Sequence, residues 1–166
     1  MKKLKLLSFY IFTLFIFVSS AGAARKGNSC NRLRKLSDKE KIQIVLSELQ
    51  HSAQHQERER FLIHFSKDYS DAQNKGPQSL KSKAEHFFSK YQPRENRPFV
   101  YLYDPEIKID GKNAVVNCKV LVDACRTDNG EAFMRVTKEK IKFIKEGEYW
   151  KIIGTERLLT VLGEEE

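Results

Sequence analysis

Apolar residues recur at helical spacing in the first half of this chain and alternate in the second. In "SDKEKIQIVLSELQHSA", Ile42, Val45, Leu46, Leu49 and Ala53 fall on one helical face. Ser37 or Asp38 is placed to cap that helix, which is expected to fade near "HQER". A second, short helix carries Phe61, Leu62 and Phe65, and "KDYSDAQNKGPQ" reads as a loop. Pro77, after Gly76, suits the first turn of a third helix, whose Leu80, Ala84, Phe87, Phe88 and Tyr91 share a face. Pro93 and Pro98 stop it.

Then the period changes. "FVYLYDPEIKI" reads as a strand bent at Asp104-Pro105, and Asp110-Gly111 signals a hairpin. "NAVVNCKVLVDAC" alternates, with Val116, Cys118, Val120, Val122 and Ala124 on one side. "TDNG" turns the chain into "EAFMRVTKEKIKFIKE", where Lys138, Lys140 and Lys142 alternate with Ile141 and Phe143. Met134 and Val136 have the parity of the lysines, so a bulge is expected near Thr137 to turn them inward. Gly147 leads into a last strand in which Trp150 and Ile152 share a face. Helices followed by a meander of strands indicate an α+β domain, its antiparallel sheet covered on one face.

The ends narrow the picture. The start "MKKLKLLSFYIFTLFIFVSSAGAA" has basic Lys2, Lys3 and Lys5, an apolar run, then Ala21-Gly22-Ala23. That is the order of a secretory signal peptide over 1–24, cleaved after Ala23 or Ala24. The alternative is an uncleaved anchor, but the run is short for a span of about 20 residues. Residues 25–37 read as a flexible basic arm, 38–160 as the domain and 161–166 as an acidic tail. Loss of the three signal lysines takes the net charge from +8 to +5. No zinc-finger spacing or RNA-binding strand motif is present, so nucleic acid is not an expected partner. The expected compartment is the periplasm or the outside of the cell, with no membrane insertion after cleavage.

Three cysteines remain, Cys30, Cys118 and Cys125, in a compartment that permits disulfides. Cys118 and Cys125 lie on one strand, about 23 Å apart at ~3.3 Å per residue, too far to bridge. Either an intrachain bridge joins Cys30 to Cys125, or all three thiols are free.

Three stretches, in this order, carry a family resemblance: "RFLIHFSKDYSD", "DGKNAVVNCKVLV" and "EGEYWKIIGTERL". They resemble, respectively, the second helix and its exit, the hairpin into the long central strand, and the closing strand of the nuclear transport factor 2-like superfamily, which includes ketosteroid isomerase and polyketide cyclases. The resemblance runs from about Asp38 to Leu158. It implies three N-terminal helices packed on the concave face of a curved, mostly antiparallel sheet, a cone. In such a cone Trp150 plugs the concave side or walls a pocket there.

The resemblance carries no catalytic residue onto any position here. Isomerase chemistry needs a carboxylate base and an oxyanion donor inside the cone, and no segment reproduces that pair. The pocket candidates are Tyr69, Phe88, Tyr101, Tyr103, Arg135, Trp150 and Glu156. Arg135 is expected at the bulge, pointing to water. His51 and His55 have the spacing of a zinc pair, but they lie opposite Ile42 and Leu49 on a solvated face, so no metal and no cofactor is expected. The Lys138, Lys140, Lys142 ladder, continued by Lys145, reads as a basic outer face, which the acidic tail is suited to shield. The reading is a secreted, non-enzymatic binding or scaffold domain for a small apolar ligand or a protein partner. The alternatives are a small periplasmic isomerase or cyclase, and an envelope-assembly or immunity-type accessory protein. A homodimer through the sheet is left open.

Overall fold

The computed structural model describes residues 36–158. The signal segment, Cys30 with most of the basic arm, and the acidic tail lie outside the described residues. Three helices come first: α1 (Asp38–Gln54), α2 (Arg58–Leu62) and α3 (Pro77–Lys90). Ser37 caps α1 in a reciprocal box: the Glu40 N–H donates to Ser37 Oγ, and the Ser37 N–H donates to the Glu40 carboxylate at 2.8 Å. Pro77 opens α3 just after Gly76, where its missing N–H costs nothing.

Five strands follow: β1 (Tyr91–Pro93), β2 (Val100–Asp110), β3 (Asn113–Arg126), β4 (Ala132–Glu146) and β5 (Tyr149–Thr155). All pairings are antiparallel. β1 and β2 share one edge of β3, β4 lies on its other edge, and β5 closes the sheet. Gly111, at φ +57°, makes the tight turn between Asp110 and Asn113. The sheet curls around the helices as a half-barrel.

The concave face holds the core. Val116, Val120, Val122 and Ala124 of β3 are fully buried beneath Ile42, Leu46 and Leu49 of α1 and Phe87 of α3. Trp150 and Ile152 of β5 are buried on the same side. Full burial of one such aliphatic or aromatic side chain stabilises by about 1.5–3 kcal/mol.

Two irregularities set the strand faces. In β2 the register shifts between Tyr103 and Glu106, where Asp104 takes a left-handed φ of +53° ahead of Pro105. In β4 the expected bulge near Thr137 does not occur. Its register with β3 is unbroken from Ala132 to Ile144, and the shift falls instead between Lys142 and Phe143, against β5. Met134 and Val136 therefore stay on the lysines' face, 66% and 55% exposed. Period two is imposed by the ladder, and two apolar side chains in water cost less than a broken pairing. The extra residue of that shift lies on β5, so β4 keeps its alternation: Lys145 has the inward parity of Ile141 and Phe143, binds Asp38 at 2.8 Å and does not continue the outer ladder.

Both sheet edges are guarded. Gln50 and Gln54 of α1 each accept an N–H of the outer edge at 2.7 Å, from Leu102 and Phe99. The chain between His64 and Ser70 runs along β5, with Ser66 N–H donating to the Ile152 carbonyl at 2.8 Å. Gly154 permits that approach, since a Cβ there would sit 3.0 Å from the Ser70 carbonyl oxygen.

Candidate functional site

The concave side is filled by side chains. Trp150, Tyr69, Phe87, Phe99 and Phe143 are fully buried, and the rings of Phe87 and Phe99 stack 4.9 Å apart. Two polar side chains of this interior, Tyr69 and Glu139, are engaged. Tyr69 Oη shares a 2.7 Å hydrogen bond with Thr155 Oγ1, and burial pushes the phenol pKa far up. Glu139, 3% exposed, accepts the N–H groups of Glu156 at 2.6 Å and Arg157 at 2.8 Å. Burial raises its pKa, and those N–H groups pull it partly back. Its register partner Cys118 is pushed up to about 12 by burial and by the Glu139 charge, so it is a core thiol, not a nucleophile. These groups hold the chain's exit from β5 in place. The phenol is spent on Thr155, and the Glu139 carboxylate is spent on the two N–H groups that follow β5.

The seven pocket candidates are not brought together. Tyr69 and Trp150 are core. Phe88 is half-buried on α3, edge-on to Phe61 at 5.6 Å. Tyr101 and Tyr103 lie on the convex face, stacked on each other at 5.9 Å. Arg135 pairs with Val122 in register, so it belongs to the concave side; it is half-buried, with Cζ 5.7 Å from the Phe133 ring. With no bulge beneath it, the expected outward pose has no basis. Glu156 follows β5 at the surface and reaches Lys140 at 3.7 Å. Tyr101 and Tyr103 face outward because the Asp104-Pro105 bulge inverts the parity of β2. Counting back from the hairpin makes Ile107 and Ile109 inward, and odd-numbered Tyr101 and Tyr103 with them. The extra residue flips that order.

Among the described residues no group of three His, Cys, Asp or Glu side chains is placed to hold a metal. His51 and His55 touch at 4.3 Å between ring centroids, on the solvated face of α1. Cys125 is half-buried, with Sγ 3.8 Å from the Gln92 carbonyl oxygen. Its pairing with Cys30 lies outside the described residues. β3 runs straight through Cys118 and Cys125, which keeps those two apart.

The convex face carries the unusual surface. Register places Tyr101, Leu121 and Val136 side by side across β2, β3 and β4. The next row is Tyr103, Lys119 and Lys138, and on the opposite side come Asp123 and Met134. Asp123 is 3% exposed because Arg94 and Arg97 close over it, at 3.0 and 3.2 Å. A depression of about 640 Å³ lies among Asp104, Glu106, Lys119, Lys138, Lys140 and Glu156, and the register pair Cys118 and Glu139 also lines it.

No family profile and no curated protein matches the chain. Solved structures do. An NTF2-like superfamily protein from Salmonella enterica serovar Typhimurium is 17% identical, with a TM-score of 0.58, covering 77% of this chain and 91% of its own. An NTF2-like protein from Cytophaga hutchinsonii is 13% identical, with a TM-score of 0.58 over 73% of this chain and 97% of its own. The chain has the nuclear transport factor 2-like fold. A protein from Novosphingobium aromaticivorans, provisionally assigned as an aromatic ring hydroxylase, shares that fold at 14% identity and a TM-score of 0.60, over 72% of this chain and 86% of its own. At these identities the NTF2-like likeness establishes architecture and leaves function to the surface chemistry. Among the described residues no helix is long and apolar enough to cross a membrane.

Proposed function

We propose that this chain is an exported, non-catalytic NTF2-like binding domain that holds a protein partner on the convex face of its sheet. The observation that carries the reading is the filled cone. Trp150, Tyr69, Phe87, Phe99 and Phe143 are each at most 2% exposed and fill the side of the sheet where a small apolar ligand would lie. The convex face, in contrast, leaves apolar Tyr101, Met134 and Val136 in water. Large apolar side chains grouped on an outer face are typical of interaction sites. Export rests on the basic, apolar, small-residue order of residues 1–24.

Photocrosslinking in the protein's own host tests this. A benzoyl-phenylalanine at position 136 should give a discrete protein adduct in the envelope fraction, and one at exposed position 63 should not. Native mass spectrometry of the purified protein should show the bare chain with its first 23 or 24 residues removed. A retained apolar compound of a few hundred daltons would return the function to the cone interior. Full-length mass would remove the export reading.

A further inference from the structure

We infer that the convex strip takes an apolar protein segment flanked on both sides by carboxylates, and that its charge rejects a second copy of this chain. The inference rests on the convex-face reading and names its partner.

The strip is one row deep and three strands wide. Tyr101, Leu121 and Val136 span about 10 Å at ~4.8 Å per strand. Met134 extends it along β4 by one inward–outward repeat. Cationic groups stand on either side. On one side Arg94 and Arg97 converge on Asp123, two guanidinium groups on one carboxylate. That leaves a net positive charge, and each guanidinium keeps donors beyond the one it spends, since an arginine carries five. On the other side Lys119 and Lys138 are direct cross-strand partners. Like charges facing one another across a ladder are destabilising. Asp104 meets Lys119 at 3.3 Å, but no described carboxylate pairs with Lys138. The flanks lie four residues apart along β4, Met134 to Lys138, or about 14 Å at ~3.4 Å per residue. An extended segment with acidic residues at i and i+4 and an apolar one at i+2 matches that distance.

A second copy does not fit. A two-fold pairing brings the same patch to itself. With the axis along the row, the arginine flank meets the partner's lysines. With the axis across the row, arginines meet arginines and lysines meet lysines. Either way cations face cations, which costs affinity. Strand addition at the sheet edge is also hindered, because Gln50 and Gln54 occupy its upper donors and Pro105 interrupts it below.

The test is selection from a random dodecapeptide phage library on the mature protein, with counter-selection on Val136→Lys. Enriched peptides should carry apolar residues bracketed by Asp or Glu. For the best synthetic peptide, Arg97→Glu should weaken binding by about tenfold or more, and so should Lys138→Glu. Lys112→Glu, in the β2–β3 turn, should leave it unchanged. Sedimentation at about 100 µM should show a monomer. Basic or uncharged consensus peptides, no enrichment, or a dimer abolished by Val136→Lys would each overturn the inference. A crosslink from position 136 alongside any of those results would leave the convex-face reading standing and reject only the acidic partner.

Discussion

Trp150 donates its indole N–H to the carboxylate of Asp38 at 3.1 Å, across 112 residues of sequence. Asp38 sits in the first turn of α1, where a negative charge favours the helix dipole, and it also binds Lys145. One carboxylate therefore ties the start of the first helix to the β4–β5 hairpin. Lys41, one turn on, reaches Glu148 in the same hairpin at 3.0 Å. The tryptophan supplies apolar area to the core, and its polar edge aligns the helix above it.

Trp150→Ala should cost about 3–5 kcal/mol, as for other large core aromatics. Lys140→Ala, at the surface, should stay within roughly 0.5 kcal/mol. Urea melts of both variants measure this. Coincident midpoints would mean that the faces of β4 and β5 are assigned the wrong way round.

The two engaged carboxylates should respond to pH with opposite signs. Hydrogen bonds from Lys145 and Trp150 lower the pKa of Asp38. Its contribution is present above the unfolded carboxylate pKa and is lost as pH falls through the folded one. Burial raises the pKa of Glu139. Its contribution is full below the unfolded value and declines as pH rises through the folded one. The stability gap between wild type and Asp38→Asn should therefore widen from pH 3 to pH 7. The gap for Glu139→Gln should shrink over the same interval. Denaturant melts at the two pH values decide it, and parallel trends would contradict the assignments.

Gln50→Ala with Gln54→Ala should destabilise the fold and promote association. Each substitution strands a partly buried N–H, at about 1–3 kcal/mol per group. It also bares the upper edge of β2 to other chains. Light scattering during a thermal ramp should show earlier aggregation than for Gln78→Ala, on exposed α3 surface. Equal onset temperatures would show that the edge is guarded by something else.

Thiol labelling under native conditions should modify Cys125 well before Cys118. The Cys118 thiol is buried and pushed up to about 12, whereas Cys125 is half-buried at a strand end. Comparable labelling rates would mean that the core opens at β3. Protection of Cys125 that vanishes on reduction would indicate a bridge to Cys30.

Much of this architecture was legible because it is local. The cap at Ser37, the Pro77 start of α3, the turn at Gly111 and the inward alternation from Val116 to Ala124 each depend on residues within a few positions of one another. So does the inward pairing of Trp150 with Ile152. The core and the α+β order follow from those periods. Tertiary structure decided which way the remaining side chains face. The β2 bulge inverts parity at Asp104-Pro105 and carries Tyr101 and Tyr103 to the outside. The unbroken β3–β4 ladder keeps Met134 and Val136 beside them. Gln50, Gln54, Arg94 and Arg97 found their roles only when distant strands met them. Local spacing sets a period, but the absolute face of a strand is fixed by its partners' register. The convex strip exists only as a relation between three strands.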